Sequence, residues 1–327
     1  MSRAPYDLLI VGAGPVGLYA AYYAGFRGFS IGILDSLEEA GGQVTALYPE
    51  KTIFDVAGLP SIKGKDLVAN LRTQLEPFTP SWHLSQRAEQ LSAEGDLVTI
   101  ATHEGLELSA RAVVITGGIG TFAPRPLPGG EAFEGKGLRY FVPRLDELAG
   151  LDVVIVGGGD SAFDWALALE PLASSVTLVH RRDAFRAHAH TVEQVRRTSA
   201  TILTTTEVER ILGDGHVEAI ELRNNVTQEL TTLPAGGIVA ALGFVADLGP
   251  LTRWGLDLEK RRIVTDTTMA TNVARVYAAG DIVTYPGKVP LISVGFGEAA
   301  IAVNNAATVI DPALKVFPGH STEAETA

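Results

Sequence analysis

Two glycine-rich stretches contain the residue types and spacing that bind a phosphorylated nucleotide. Residues 12–17 read GAGPVG, and residues 157–162 read GGGDSA. In such a turn the first glycine permits a sharp bend, the second lets a pyrophosphate approach the backbone, and the third position must be small so that helix and strand pack closely. The N-terminus of the following helix supplies amides and a dipole that attract the anion. The predicted binding residues are Gly12, Gly14, Pro15 and Gly17 in the first turn, and Gly157, Gly159, Asp160, Ser161 and Ala162 in the second.

The residue that ends the strand after the first turn indicates which nucleotide binds there. Asp35 lies 18 positions beyond Gly17, and His180 lies 18 positions beyond Ala162, so the two stretches share one construction. A carboxylate at this place accepts a hydrogen bond from a ribose 2′-hydroxyl and repels a 2′-phosphate. The first turn therefore predicts a nucleotide with an unphosphorylated adenosine ribose.

The segment after the second turn is basic instead. Residues 180–186 read HRRDAFR, which places three arginines within six residues. Guanidinium groups bind phosphate through bidentate, charge-assisted hydrogen bonds, so this segment predicts NADP, and the alternative is a solvated charge run at the start of a helix. Two different dinucleotides in one chain imply electron transfer between them, and FAD with NADPH is the natural pair. The predicted NADP-binding residues of this segment are His180, Arg181, Arg182 and Arg186.

Apolar periodicity predicts the elements that hold these residues in place. Each turn is expected between a buried strand and a helix, with a second strand after the helix. The predicted strands are 6–11, 30–34, 106–115, 152–156, 175–179 and 237–242, and the predicted helices are 18–26, 163–169 and 292–309.

The two strand–helix–strand units predict an α/β protein with two Rossmann-like dinucleotide-binding domains. A proline cluster at Pro124, Pro126 and Pro128 and a glycine- and proline-bearing stretch at 243–250 are typical of linkers. We therefore expect an NADP-binding domain at 121–246, inserted into a discontinuous FAD-binding domain formed by 1–120 and 247–327. From Pro318 onward, the polar composition favours a disordered tail.

Composition excludes several classes of protein. The chain has 327 residues and no cysteine, which excludes disulfides, thiol catalysis and cysteine-ligated metals. A net charge of −12 argues against generic binding to nucleic acid or anionic membranes. The first apolar run, 8–11, is too short for a signal sequence or a membrane span, so a cytoplasmic protein is expected. His188 and His190 could suggest a metal pair, but we expect no metal because side chains two positions apart on a helix face different ways.

The motifs together resemble a known family. GAGPVG, GGQ at 41–43, YPEK at 48–51, GGGDSA, HRRDAFR and YAAGD at 277–281 are similar to the thioredoxin-reductase fold, and more closely to ferredoxin–NADP reductases of the thioredoxin-reductase-like type. The resemblance extends from residue 6 to residue 322. Thioredoxin reductase itself has a CxxC motif just before its second fingerprint, where this chain has YFVP at 140–143. Dithiol chemistry is therefore impossible.

The resemblance implies roles for residues on the FAD side. Asp35 would hold the adenosine ribose, and Gln43 would lie near the flavin. Asp281, after Gly280, would accept from the ribityl chain near the pyrophosphate, and Tyr48 would stack on one face of the isoalloxazine. Backbone at two further positions, Ala88 and Phe122, would complete the FAD site.

The resemblance also implies a role for the C-terminus that replaces the expectation of a disordered tail. His320 would stack on the other flavin face, with Ser321 and Thr322 near N5, and the tail would come from the partner subunit of a homodimer. The residues expected at the reacting ring are thus Tyr48, His320 and Ser321.

The implied activity is electron transfer from NADPH to ferredoxin through FAD: hydride transfer to flavin N5, followed by one-electron steps. Ferredoxins are acidic, so docking on this acidic chain requires a local basic patch. The same-class alternative is a reductase of a quinone or another small acceptor, while a non-catalytic redox sensor and a monooxygenase are candidate functions of different classes. The candidate docking residues are Lys51, Lys63, Lys65, Arg72, Arg87 and 260–262.

Overall fold

The computed structural model describes residues 4–319, and the side chains of these except 121–123 and 246. The chain divides into two compact units. Unit 1 comprises Met1–Thr121 and Ala246–Ala327, and unit 2 comprises Phe122–Val245.

The elements are numbered along the chain. The first segment of unit 1 contains β1 (Tyr6–Val11), α1 (Pro15–Phe26), β2 (Ile31–Leu34), α2 (Gly42–Leu47), β3 (Thr52–Ile53), β4 (Ile62–Lys63), α3 (Gly64–Leu75), β5 (Ser81–His83), β6 (Ala88–Glu94), β7 (Leu97–Thr102) and β8 (Glu107–Ile115). The middle of the chain contains β9 (Thr121–Pro124), β10 (Leu138–Arg139), β11 (Asp152–Gly157), α4 (Asp160–Leu169), β12 (Ser175–Val179), α5 (Ala189–Arg196), β13 (Thr201–Leu203), β14 (Thr206–Leu212), β15 (Ala219–Asn224), β16 (Leu230–Pro234), β17 (Gly237–Ala241) and β18 (Phe244–Asp247). The last segment contains β19 (Leu258–Glu259), β20 (Arg262–Val264), β21 (Val276–Ala278), β22 (Val283–Thr284) and α6 (Ile292–Ile310). Short 3₁₀ helices lie at Glu76–Phe78, Glu131–Phe133, Leu145–Leu148 and Gly249–Arg253.

Unit 1 is built on a seven-stranded sheet in the order β5-β2-β1-β8-β7-β6, with β21 also pairing with β8. The strands around β1 are parallel, whereas β6, β7 and β8 form an antiparallel meander. Successive side chains of β1 enter different cores, with Leu8 and Ile10 packing among residues of α1, α3 and α6, and Leu9 and Val11 on the other face. Burial on both faces explains why β1 is continuously apolar.

Unit 2 has a five-stranded parallel sheet in the order β10-β17-β11-β12-β13 and a separate antiparallel sheet, β14-β15-β16. The central strand β11 pairs on one side with β12 and on the other with β17. The second glycine turn therefore leaves the middle of the sheet, as the first one does from β1.

Helices α1 and α4 begin three residues earlier than predicted, at Pro15 and Asp160 instead of Leu18 and Phe163. The glycine motif itself supplies the first helical turn, and Pro15 occupies N1, where its missing N–H costs nothing. The stretch 243–250, predicted as a linker, contains β18, which pairs with β9. Among the described residues, no helix combines the length and apolar character needed to cross a membrane.

Candidate functional site

The first glycine turn has the shape that a dinucleotide pyrophosphate requires. Gly12 has φ +115°, and a Cβ there would lie 2.5 Å from the Thr116 carbonyl oxygen. A Cβ on Gly17 would overlap the Gly12 carbonyl oxygen, so only glycine allows α1 to approach β1 this closely. In contrast, a Cβ on Gly14 would meet nothing within 4 Å. Gly14 is the N-cap of α1, and no side chain caps that helix end. The helix amides thus face an open space that fits an anion.

Asp35 lies against this turn, as the sequence predicts for a ribose ligand. Its Oδ2 accepts a hydrogen bond of 2.5 Å from the Ala13 amide, and its Oδ1 accepts one of 2.8 Å from the Leu37 amide. Burial raises the pKa of the Asp35 carboxyl, and the backbone amides oppose that rise. Each oxygen has further acceptor capacity, so a ribose hydroxyl can be bound as well.

Three further residues predicted at the FAD lie in unit 1: Gln43 in α2, Tyr48 at the C-terminus of α2, and Asp281 after β21. Gln43 is in α2, and its side-chain amide lies over Gly118, where a Cβ would be 2.8 Å from Nε2. Tyr48 follows α2 directly, and burial, with the nearby charges of Asp281 and Asp55, raises the pKa of its hydroxyl to about 12. Tyr48 is therefore a neutral aromatic ring near the Asp281 carboxylate.

Asp281 follows Gly280, which adopts φ +88° at the end of β21. Burial raises the pKa of Asp281, while the charges of Lys288 and Arg262 oppose that rise. Within residues 4–319 its carboxylate has no hydrogen-bond partner, although it is only partly exposed. Such an acceptor fits a ligand that supplies hydroxyl donors, as the ribityl chain of FAD does.

Five further residues are predicted to lie at the FAD, and the structure describes only some of them. Ala88 is buried at the start of β6, at an irregularity in its pairing with β7. Phe122 belongs to β9, but its side chain is not described. His320, Ser321 and Thr322 lie outside the described residues. The roles of these five residues stay predictions.

Three residues beside Asp281 were not predicted from the sequence. Glu298 in α6 accepts hydrogen bonds from the Gly280 amide, the Tyr285 hydroxyl and the Lys288 ammonium. The available signal was that Glu298 is the only charged residue in the 19-residue helix α6. A lone acid on a helix of alanine, glycine and apolar residues has a polar partner when it is buried.

The second turn, in unit 2, brings the basic segment against its glycines. The Arg186 amide donates to the Gly158 carbonyl oxygen at 2.8 Å, and a Cβ on Gly158 would overlap the His180 ring. Gly159 caps α4 without a side-chain hydrogen bond, and a Cβ there would meet nothing within 4 Å. Segment 180–186 therefore folds back onto an open helix N-terminus.

The basic side chains of this segment are available to a ligand. Arg181, Arg182 and Arg186 are exposed, and among the described residues none of them pairs with a carboxylate. Burial, together with these three positive charges, lowers the pKa of His180, and a hydrogen bond with the Ala184 carbonyl opposes that effect. The three guanidinium groups therefore supply the positive charge beside the turn.

Asp160 and Ser161, which are also predicted to bind NADP, lie in the first turn of α4. Asp160 Oδ1 accepts a hydrogen bond of 2.8 Å from the His188 amide, so it fixes the start of α5, and Ser161 is exposed in the first turn of α4. The basic segment 180–186 lies just before α5, which begins at Ala189. Across residues 4–319, no three His, Asp or Glu side chains are grouped to hold a metal.

Comparison with known proteins identifies the family. Residues 6–306 match the family model described as pyridine nucleotide-disulphide oxidoreductase. The chain is 60% identical to a ferredoxin–NADP reductase of Frankia casuarinae, covering 97% of this chain and 98% of that one. It is 51% identical to a ferredoxin–NADP reductase of Thermus thermophilus, covering 97% and 96%. The chain belongs to the ferredoxin–NADP reductase family within the pyridine nucleotide-disulphide oxidoreductases.

Solved structures agree with the fold of this family member. Thioredoxin reductase of T. acidophilum matches with a TM-score of 0.81 and 25% identity over 95% of this chain and 99% of that one. Thioredoxin reductase of Lactococcus lactis matches with 0.80 and 26% over 93% and 99%. The predicted α/β fold of thioredoxin-reductase type and the predicted family resemblance are both confirmed. Because this chain has no cysteine, it shares that fold without the dithiol.

Proposed function

We propose that the chain is a flavoprotein oxidoreductase that transfers electrons between NADPH and ferredoxin through FAD. Unit 1 holds the FAD and unit 2 the NADP. One observation supports this assignment above all: two open glycine turns have opposite charge beside them, a carboxylate at the first and, at the second, three guanidinium groups that no carboxylate within residues 4–319 pairs with. The carboxylate suits an unphosphorylated ribose, and the guanidinium groups suit a 2′-phosphate.

In unit 1 the turn at Gly12–Gly17 binds the FAD pyrophosphate, and Asp35 binds the adenosine ribose. Asp281 accepts from the ribityl chain, while Gln43 and Tyr48 lie at the flavin, Tyr48 as a stacking ring. When bound, the flavin supplies a two-electron acceptor that can release its electrons one at a time. Backbone at Ala88 and Phe122, and the tail residues His320, Ser321 and Thr322, complete this proposed site.

In unit 2 the turn at Gly157–Ala162 binds the NADPH pyrophosphate. Arg181, Arg182 and Arg186 bind the 2′-phosphate, and His180 holds the segment in place through its ring contact with Gly158. The chain's residues thus bind and orient the two nucleotides, and no acid–base pair or nucleophile is required.

The partner, the assembly and the location belong to the same proposal. The names of the relatives favour ferredoxin over a quinone or another small acceptor. The tail resemblance supports a homodimer, and the absence of a membrane-spanning helix in the described part of the chain is compatible with a cytoplasmic enzyme.

Among the docking candidates, we infer that ferredoxin approaches at Lys51. Its ammonium lies 5.9 Å from the centroid of the Tyr48 ring. Lys51 thus places a positive charge beside the ring proposed to stack on the flavin.

The test is anaerobic reduction of cytochrome c by NADPH with the purified yellow protein. We expect a rate that rises and saturates as ferredoxin is added, because ferredoxin carries the electrons onward. The control replaces ferredoxin with an acidic protein that has no redox centre. A fast rate that does not change with ferredoxin would indicate that the electron acceptor is a small molecule instead.

A further inference from the structure

A buried ion pair lies next to the Gly280–Asp281 turn and has no part in the nucleotide motifs. Lys288 and Glu298 are in contact at 2.5 Å, and each side chain is only 3% exposed. Burying two charges costs several kcal/mol, and hydrophobic residues in their place are often as stable. A contribution to stability is therefore a poor explanation for this pair.

A β-turn delivers both donors to one carboxylate oxygen. Tyr285 and Lys288 are its first and last residues, and the Lys288 amide donates to the Tyr285 carbonyl oxygen at 3.1 Å. Pro286 and Gly287, the latter with φ +85°, occupy the central positions as a type II turn requires. The Tyr285 hydroxyl donates to Glu298 Oε1 at 2.6 Å, and Lys288 donates to the same atom.

The other oxygen of Glu298 acts on the proposed FAD site. Its Oε2 accepts a hydrogen bond of 2.8 Å from the Gly280 amide, which is buried. Gly280 is in the left-handed region at φ +88°, and its carbonyl oxygen accepts from the Val283 amide. Glu298 therefore fixes from α6 the backbone that carries Asp281. No hydrogen bond of the Asp281 side chain does this within the described residues, so the direction of its carboxylate depends on that backbone.

The charges around this turn balance only while Lys288 is present. Asp281 lies near the buried carboxylate of Glu298, and the negative charge of Glu298 raises the pKa of Asp281. The opposing cations are Lys288 and, from β20, Arg262. The Tyr48 hydroxyl is near Asp281 and Asp55, and the Tyr285 hydroxyl is bonded to Glu298. Both stay protonated, because burial and these carboxylates raise the pKa of each to about 12.

We propose that Glu298, Lys288 and Tyr285 form a charge-balanced brace that holds the Gly280–Asp281 turn in its ligand-binding shape and keeps the Asp281 carboxylate ionised. The inference rests on the proposed binding of FAD at Asp281. The three brace residues are positioning residues, since they act on the cofactor through the turn. Their function is to make FAD affinity independent of pH.

The test measures the dissociation constant of FAD for the full-length chain stripped of flavin, from pH 6.5 to 8.5, by quenching of flavin fluorescence. In the unchanged protein, and in K136M, which removes a lysine from unit 2, we expect affinities that vary less than twofold. In K288M the charge of Glu298 beside Asp281 is no longer balanced by Lys288, so Asp281 holds a proton at the lower pH and FAD binding must release it. We therefore expect binding at least tenfold weaker at pH 6.5 than at 8.5.

The double variant K288M/E298Q separates charge balance from packing. The glutamine carbonyl oxygen would still accept from the Gly280 amide, while one carboxylate is gone, so the pH dependence should disappear. A flat profile in K288M, or a slope that persists in the double variant, would overturn the proposal. If K288M does not fold, FAD binding by E298Q is compared with FAD binding by E298A, because only E298A lacks an acceptor for the Gly280 amide. FAD binding at least tenfold weaker in E298A than in E298Q supports the brace. Equal binding by the two variants rejects it. If the unchanged protein does not bind FAD, the proposed function itself fails.

Discussion

At the scale of single residues, the Asp35 carboxylate can accept hydrogen bonds both from the backbone of its own turn and from a bound nucleotide. Its carboxylate already binds the amides of Ala13 and Leu37 and is expected to bind a ribose hydroxyl as well. A carboxylate is suited to this because its two oxygens together accept about four hydrogen bonds. The same side chain can therefore shape the turn and select the nucleotide.

Replacing Asp35 with alanine should weaken FAD binding about ten- to a hundredfold, since hydrogen bonds to a charged group are worth about 1.5–3 kcal/mol. The measurement is the flavin content after dialysis, with the dissociation constant from a fluorescence titration. Asp7→Ala is the matched control, because Asp7 also accepts from a backbone amide of the neighbouring segment, that of Ser30 at 2.9 Å, at the opposite end of β1. Equal FAD affinity in D35A and D7A would contradict the assignment.

Residues of this kind can be predicted from the sequence when their signal is local. Asp35 lies 18 positions beyond Gly17, and Arg181 and Arg182 lie 19 and 20 positions beyond Ala162. Tyr48 and Asp281 have no such local signal, and only the family resemblance indicated them. Glu298 was missed because its partners Gly280, Tyr285 and Lys288 become meaningful only once α6 packs beside the turn.

At the scale of elements, the two turns are equivalent in construction and differ in the ligand proposed for each. Gly14 and Gly159 are both N-caps without a side-chain cap, and a Cβ on either would meet nothing within 4 Å of protein. The space next to the Cα atom of each glycine is therefore open. This equivalence makes each turn the control for the other.

Gly14→Ala should lower FAD affinity at least tenfold and leave the KM for NADPH within twofold, whereas Gly159→Ala should raise that KM at least tenfold and leave FAD affinity unchanged. Both changes cost a similar small amount of helix stability, about 1 kcal/mol or less, because alanine is a poorer N-cap than glycine. Thermal unfolding of each variant checks that cost. Variants that affect both nucleotides equally would show that the turns act only through stability.

The element boundaries also show where sequence patterns stop being informative. Strand β1 and helix α6 were predicted nearly to the residue because burial makes them long and apolar. The starts of α1 and α4 were placed too late, because glycine and proline were taken as turn residues only, although they form the first helical turn. Strand β18 was missed because its four residues depend on pairing with β9, far away in the chain.

At the scale of the whole molecule, the net charge of −12 affects how readily a charged protein partner approaches the chain. An acidic chain repels an acidic ferredoxin at long range, so binding requires a local positive group such as Lys51. Within the structure that group lies beside Tyr48, in the unit proposed to hold the flavin. Partner recognition is thus expected next to the site from which electrons leave.

One chain is proposed to bind two different dinucleotides, FAD in unit 1 and NADPH in unit 2, with electrons passing from the second to the first. The most direct measurement is the anaerobic rate of flavin bleaching against NADPH or NADH concentration, in the unchanged protein and in R181A/R182A. We expect the double variant to need about 30- to 100-fold more NADPH for half-maximal rate, with less than a threefold change for NADH, since only NADPH has the 2′-phosphate.

The matched control is R196A/R197A, which removes two positive charges from the same unit at the far end of α5. It should behave as the unchanged protein does with both nucleotides. Equal losses for NADPH and NADH in R181A/R182A, or an unchanged response to NADPH, would contradict the account.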